Sequence, residues 1–385
     1  MKNTFKLLSV IALIAITGFV MTACGNPDDP PVTPDQAPPP LPPANWTAIP
    51  AGSENGTTGT FGTRLISTIT YGNGIFVAGG EYGMMSYSAN GINWTAIPAG
   101  TTDETTTTFG TSVSSTISSI ANNGDTFVAV GDLGRIAYSA NGINWTAIPP
   151  GTTNETTTTF GSSNILRVTY GNDKFVAVGT LGKMAYSTNG INWTRIPSGT
   201  TNGTTTTFSD SSTISGVSYG SDKFVAVGYN GKMAYSSNGI NWTAIAVGET
   251  NGTTTTFSSS RNIMRIGYGN GMFVAGGDNG TMAYSSNGIN WTHIPSGTTP
   301  GATTFGMTAM IFGITYGDGY FIAVGSLGRM AWSNNGINWT AIPAGFTNGT
   351  TSTFSTTAIS SIIYGGGRFI AGGSTGRMAY SNVVR

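Results

Sequence analysis

The chain has 385 residues, of which 8% are charged and 57 are glycine, where an ordinary globular chain is about 25% charged. Sixteen basic residues balance sixteen acidic ones, so nucleic-acid binding by phosphate neutralisation has no support. One cysteine and one histidine exclude an internal disulfide framework and a cysteine-based zinc site, and no metal or other cofactor is expected.

Residues 1–23 read as a targeting segment. Lys2 and Lys6 precede an apolar run, Leu7 to Met21, too short for a membrane-spanning helix. Removing it leaves 14 basic against 16 acidic residues, a net charge of −2. Met21-Thr22-Ala23-Cys24 resembles the bacterial lipoprotein signal, with Met21 where that signal usually has leucine. The resemblance implies that Cys24 is cleaved and acylated and that the chain is exported. Two acyl chains would give stable membrane anchoring, in the outer membrane or at the cell surface rather than the inner membrane. Residues 24–44 then form a tether. Proline fills nine of the twenty positions 25–44, which suits an extended polyproline II spacer of roughly 60 Å at about 3.1 Å per residue.

From residue 45 to 385 the chain repeats. The stretch Tyr87-Ser88-Ala89-Asn90-Gly91-Ile92-Asn93-Trp94-Thr95 recurs, its tryptophan appearing as Trp46, Trp94, Trp145, Trp193, Trp242, Trp291 and Trp339 at intervals of 48, 51, 48, 49, 49 and 48 residues. A period near 50 residues indicates propeller blades. Asn-Gly between two alternating runs predicts a hairpin with a type I′ turn, in which asparagine and glycine both take positive φ, closed by the tryptophan ring.

Each repeat contains four strand candidates. In one copy these are Ile165 to Tyr170, Phe175 to Gly179, Lys183 to Ser187 and Trp193 to Pro197. The second begins at Phe76, Phe127, Phe175, Phe224, Phe273, Phe321 and Phe369, a near-continuous apolar run suited to a sheet covered on both sides. The expected fold is an all-β, seven-bladed propeller of four-stranded antiparallel blades. Its array begins with a fourth strand at Trp46 and finishes with a third strand at Met378 to Asn382. These complement each other, so the N-terminal strand is expected to complete the last blade and leave no open blade edge. A monomer is expected.

Ser-x-Asn-Gly-Ile-Asn-Trp resembles the Asp-box, or BNR repeat, of sialidase-like propellers, one residue shorter and with asparagine for aspartate. The resemblance spans residues 45 to 382. It implies that this loop joins the third and fourth strands, which places the second-to-third turns and the interblade loops together on the opposite face. Sialidases of that superfamily use an arginine triad, a tyrosine–glutamate pair and an aspartic acid/base. Arg167 and Arg265 occupy equivalent places in two inner strands, where the other repeats have Thr68, Ser119, Gly216, Gly313 and Ser361; no third arginine joins them. Tyr71, Tyr170, Tyr219, Tyr268, Tyr316 and Tyr364 recur as packing residues. Departures from the repeat look few and scattered, and no pair of carboxylates is marked out as glycoside hydrolysis requires. A non-enzymatic protein is expected.

Two features mark the face opposite the Asp-box-like loops. One is the threonine-rich interblade loop, such as Gly100 to Phe109. The other is a basic residue after the second-to-third turn, at Arg135, Lys183, Lys232, Arg329 and Arg377, replaced by Met84 and Thr281 in the remaining copies. These five, with Arg167 and Arg265, are the candidate binding residues. The expected function is adhesion or binding of a carbohydrate or anionic polymer on this face. The alternative is a scaffold or assembly factor for membrane protein complexes, and a degenerate glycosidase stands third. His293 replaces alanine or arginine of other repeats and reads as a strand surface residue.

Overall fold

The computed structural model describes residues 46–49, 61–97, 109, 115–148, 160–196, 208–245, 257–294, 305–306, 308–342 and 354–382. The signal segment, Cys24, the tether and most of the threonine-rich interblade stretches lie outside these residues. Within them the chain forms seven four-stranded antiparallel sheets, six of them running in chain order from an inner to an outer strand. The blade of residues 165–196 is representative, with strands Ile165–Gly171, Lys174–Gly179, Met184–Ser187 and Thr194–Ile196. The last blade takes its outer strand from the other end of the array. Thr47–Ile49 pairs antiparallel with Met378–Asn382, with Thr47 opposite Tyr380 and Ile49 opposite Met378. The expected ring closure is thus present.

The core lies between blades, not within them. One cluster joins Val176, Val178, Met184 and Ile196 of one blade to Phe208, Ile214, Phe224, Ala226 and Trp242 of the next. Both faces of each second strand are buried, as its apolar run requires. The interblade phenylalanines Phe61, Phe109, Phe160, Phe208, Phe257, Phe305 and Phe354 are all buried and act as plugs between blades. The recurrent tyrosines pack the far end of the inner strands. A Cβ on Gly171 would stand 2.1 Å from Cγ of Tyr219 in the next blade, so glycine there lets the neighbouring ring lie flat on the backbone.

The Ser-x-Asn-Gly loop differs from the type I′ expectation. Gly91 has φ of +72°, but Asn90 is not among the positive-φ residues. Side chains take the amides instead. Ser88 Oγ accepts from the Gly91 N–H at 2.8 Å, and Asn90 Oδ1 accepts from the Ile92 and Asn93 N–H groups at 2.9 and 2.8 Å. Trp94 Nε1 donates to the Gly91 carbonyl at 3.1 Å. These side-chain bonds stabilise a wider loop than a two-residue turn. Type I′ geometry does occur, in the first hairpin, where Asn172 and Asp173 have φ of +42° and +54°. The tryptophan ring lies 6.4 Å from Phe76, centroid to centroid, and a Cβ on Gly91 would stand 2.7 Å from Ile370 of the preceding blade. Each loop therefore seals its own blade and abuts its neighbour.

Trp46 is fully buried in the last blade's cluster with Phe354 and Phe369. Trp46→Ala is expected to cost about 3–5 kcal/mol, as much as Trp193→Ala in an internal blade, by chemical denaturation. A loss below about 1 kcal/mol at Trp46 alone would show that the N-terminal strand does not complete the ring.

Candidate functional site

The inner strands begin at one face of the ring, here called the entry face. The second-to-third turns and the segments leading into the inner strands share this face, joined by bonds such as Glu81 N–H to the Leu65 carbonyl at 3.1 Å. The Ser-x-Asn-Gly loops join the third and fourth strands and lie at the other end.

Every inner strand is irregular at its second residue. In each blade the register shifts between the first and third residues, as at Ile165 and Arg167. A bulge of this kind re-aims a side chain. The second residues Ser67, Ser118, Leu166, Ser215, Met264, Phe312 and Ser360 all line a cavity of about 410 Å³ at the centre of the entry face. Leu65, Tyr229, Ala358 and Ser374 complete its wall, together with Arg167 and Arg265. A second chamber of about 140 Å³ is lined by Thr68, Ser361, Gly313 and neighbouring inner-strand residues, and again by both arginines.

The departures from the repeat, scattered in the sequence, therefore converge. Leu166, Arg167, Met264, Arg265 and Phe312 come from three blades and meet in one throat. The ordinary residues at these places hold the blades together. Ser67, Ser215 and Ser360 Oγ donate to the carbonyls of Ile117, Ile263 and Ile66 in the next blade. At the third position, Thr68, Ser119 and Ser361 accept from the N–H groups of Ile120, Val168 and Ile69 at 3.3, 3.3 and 2.9 Å. Arg167 and Arg265 replace that interblade bond with charge. Arg167 Nη1 donates to the Ser118 carbonyl at 2.8 Å and to that of Leu166; Arg265 Nη1 donates to the Met264 carbonyl at 2.6 Å. Burial lowers the Arg167 pKa to about 10, which leaves it protonated at neutral pH.

The five basic residues after the second-to-third turns are half-buried and sit away from the throat wall. Arg135 Nη1 donates to the Phe109 carbonyl and to Ser115 Oγ, the latter at 2.9 Å. Lys183 Nζ reaches the Phe160 carbonyl at 2.9 Å and Ser163 Oγ at 3.1 Å, and Lys232 Nζ reaches Ser212 Oγ at 2.9 Å. These three clamp the end of the interblade segment where it enters the next blade. Arg329 and Arg377 occupy the same place in their blades. The tryptophans Trp94, Trp145, Trp193, Trp242, Trp291 and Trp339 are each bonded to the glycine carbonyl of their own loop and are structural. His293 lies on an outer strand opposite Ala283.

The sequence reading missed a rim of apolar side chains. Leu133, Leu181 and Leu327 are 40%, 47% and 47% exposed at the middle of second-to-third turns, with φ of +59°, +57° and +59°. A bulky residue is disfavoured in this left-handed conformation, which Asn230 and Asn279 adopt at the same place in other blades. Tyr229 and Met310, the other exposed large apolar residues, also lie on the entry face. The available signal was Leu-Gly in a turn where asparagine is easier.

No family model matches the chain, and no curated protein sequence does. Solved structures match across most of its length. YCF48 from Cyanidioschyzon merolae is 17% identical with a TM-score of 0.61, over 88% of this chain and 99% of that one. A structure of YCF48 bound to D1 peptide is 13% identical with a TM-score of 0.60, over 89% and 97%. The GH74 xyloglucanase from Xanthomonas campestris is 10% identical with a TM-score of 0.58, over 88% of this chain and 53% of that one. At these identities the likeness is one of fold: the chain is a seven-bladed β-propeller.

Arg265→Ser is expected to stabilise the free protein by about 1 kcal/mol. It removes a cation from the throat and supplies a hydroxyl for the Ile314 N–H, as Ser119 does for Val168. The check is the melting temperature, and a fall would show that the arginine supports the ring.

Proposed function

We propose that this protein is a membrane-tethered binding propeller without catalytic activity, whose entry face docks a protein partner. The observation that carries this reading is the rim. The five exposed large apolar residues among those described, Leu133, Leu181, Tyr229, Met310 and Leu327, lie on one face, and three of them are leucines held in backbone that disfavours leucine. Local conformational strain combined with apolar exposure is a mark of a contact surface. The opposite face carries compact turns closed by their own side chains. Among the described residues no carboxylate lines the throat, so the acid and base of a glycosidase have no candidates there. The YCF48 structure with D1 peptide adds support, since a propeller of similar shape there holds a polypeptide.

Binding of a carbohydrate or anionic polymer is the second reading, favoured by the serine hydroxyls and two arginines in the throat. In either case Cys24 would hold the propeller at the membrane through acyl chains, and the tether would give it reach.

The triple variant Leu133→Asn, Leu181→Asn, Leu327→Asn places at each turn the residue found at Asn230 and Asn279. Its melting temperature is expected to be unchanged or slightly higher. In affinity capture from the native envelope it is expected to lose a protein partner that the parent chain retains. An unchanged partner set, or capture of glycan alone by the parent, would reject protein docking at this rim. Cys24→Ser is expected to move the protein from the membrane to the soluble fraction.

A further inference from the structure

The throat has a chemistry distinct from the rim around it. Arg167 and Arg265 are the charged side chains lining its chambers, and both line both chambers. Ser67, Phe312 and Ser360 are likewise shared by the two chambers. Outward lie Leu65, Leu166, Met264 and Tyr229. Inward lie the hydroxyls of Thr68 and Ser361 and the inner-strand backbone. Each guanidinium is bonded through Nη1 to main-chain carbonyls. Nε and Nη2 of both have no partner among the described residues, and no acidic side chain lines either chamber.

Two cations that line the same chambers without an acidic side chain among the lining residues give up hydration and gain no counter-ion there. Burial lowers the Arg167 pKa, the effect expected of a charge short of water. The repeat offered less costly residues, because three blades carry a hydroxyl here that bonds to the next blade. In the same blades as the arginines the bulge residue changed from serine to Leu166 and Met264, and the next blade has Phe312. Charge and apolar lining thus arrive together. A neutral sugar would leave both charges uncompensated, and a bare inorganic anion would leave the apolar wall uncovered.

We propose that the throat binds an organic carboxylate, with the oxyanion head between Arg167 and Arg265 and an apolar body against Leu166, Met264 and Phe312. This rests on the reading of the entry face as the binding face, but the rim and the throat are tested by different substitutions. The carboxylate has two sources, a free small acid or the end of a polypeptide docked on the rim.

The test is calorimetric titration of the full chain with octanoate, octanol and octylamine. Octanoate is expected to bind more tightly than octanol, and octylamine to bind least. Arg265→Ser and Arg167→Thr are each expected to weaken octanoate by about tenfold or more, the scale of one charged hydrogen bond, and to leave octanol unchanged. The triple leucine variant is expected to bind octanoate as the parent does. Octanoate affinity equal to that of octanol, absence of octanoate binding, or retention of it in the double arginine variant would overturn the proposal. Loss of octanoate in the triple leucine variant would also overturn it, since the anion would then sit on the rim. A short peptide ending in leucine, offered as free acid and as amide, separates the sources. A tenfold preference for the acid that Arg265→Ser abolishes identifies a chain end, and equal peptide affinities beside intact octanoate binding identify a free acid.

Discussion

Packing between blades is the interaction on which the rest of this structure depends. A single four-stranded sheet here has two apolar faces and no means of covering them alone. Its second strand is buried on both sides only because a neighbour stands on each. The tryptophan loop, the phenylalanine plug and the tyrosine laid on glycine all act at the same seams. Closure follows from this: a ring with one uncovered seam would expose a whole core cluster, which is why the last blade borrows an outer strand from the start of the array.

The same regularity makes the throat stand out. When a repeated position serves one structural role in several blades, a departure needs another reason. At the third inner-strand position the structural reason is a hydroxyl bonded to the next blade's amide. Glycine at Gly216 and Gly313 omits that bond, and an added Cβ would press on Val227 at the first and on Val324 and Ile362 at the second. The arginines omit it in favour of charge. The basic residues after the second-to-third turns show the opposite case. There the recurrence is explained by contacts within the chain, because the charged ends of Arg135, Lys183 and Lys232 lie on the segment entering the next blade.

Much of the architecture was legible in the sequence because the period and the phase of the repeat are physical quantities. The spacing of Trp46 to Trp339 fixed blade number, and the half-blades at either end of the array specified how the ring closes. The loop after Ser88 was misread because Asn-Gly signals a tight turn when its flanking side chains are idle. Here Ser88 and Asn90 occupy the backbone amides themselves. The throat was only half legible. Two arginines at one repeat position were visible, but Leu166, Met264 and Phe312 look like ordinary strand residues until a bulge turns them toward the axis. Likewise Leu133, Leu181 and Leu327 resemble core leucines, and only the backbone angle places them in solvent.

The borrowed outer strand has a mechanical consequence. Thr47–Ile49 enters the ring from the end that bears the tryptophan loops and lies antiparallel to Met378–Asn382. A force applied along that strand loads its ladder bonds together in shear and does not peel them one at a time. Withdrawing the strand also requires Trp46 to leave a fully buried pocket. Loss of this one strand would uncover the edge of Met378–Asn382, so failure there would open the whole rotor rather than detach one sector.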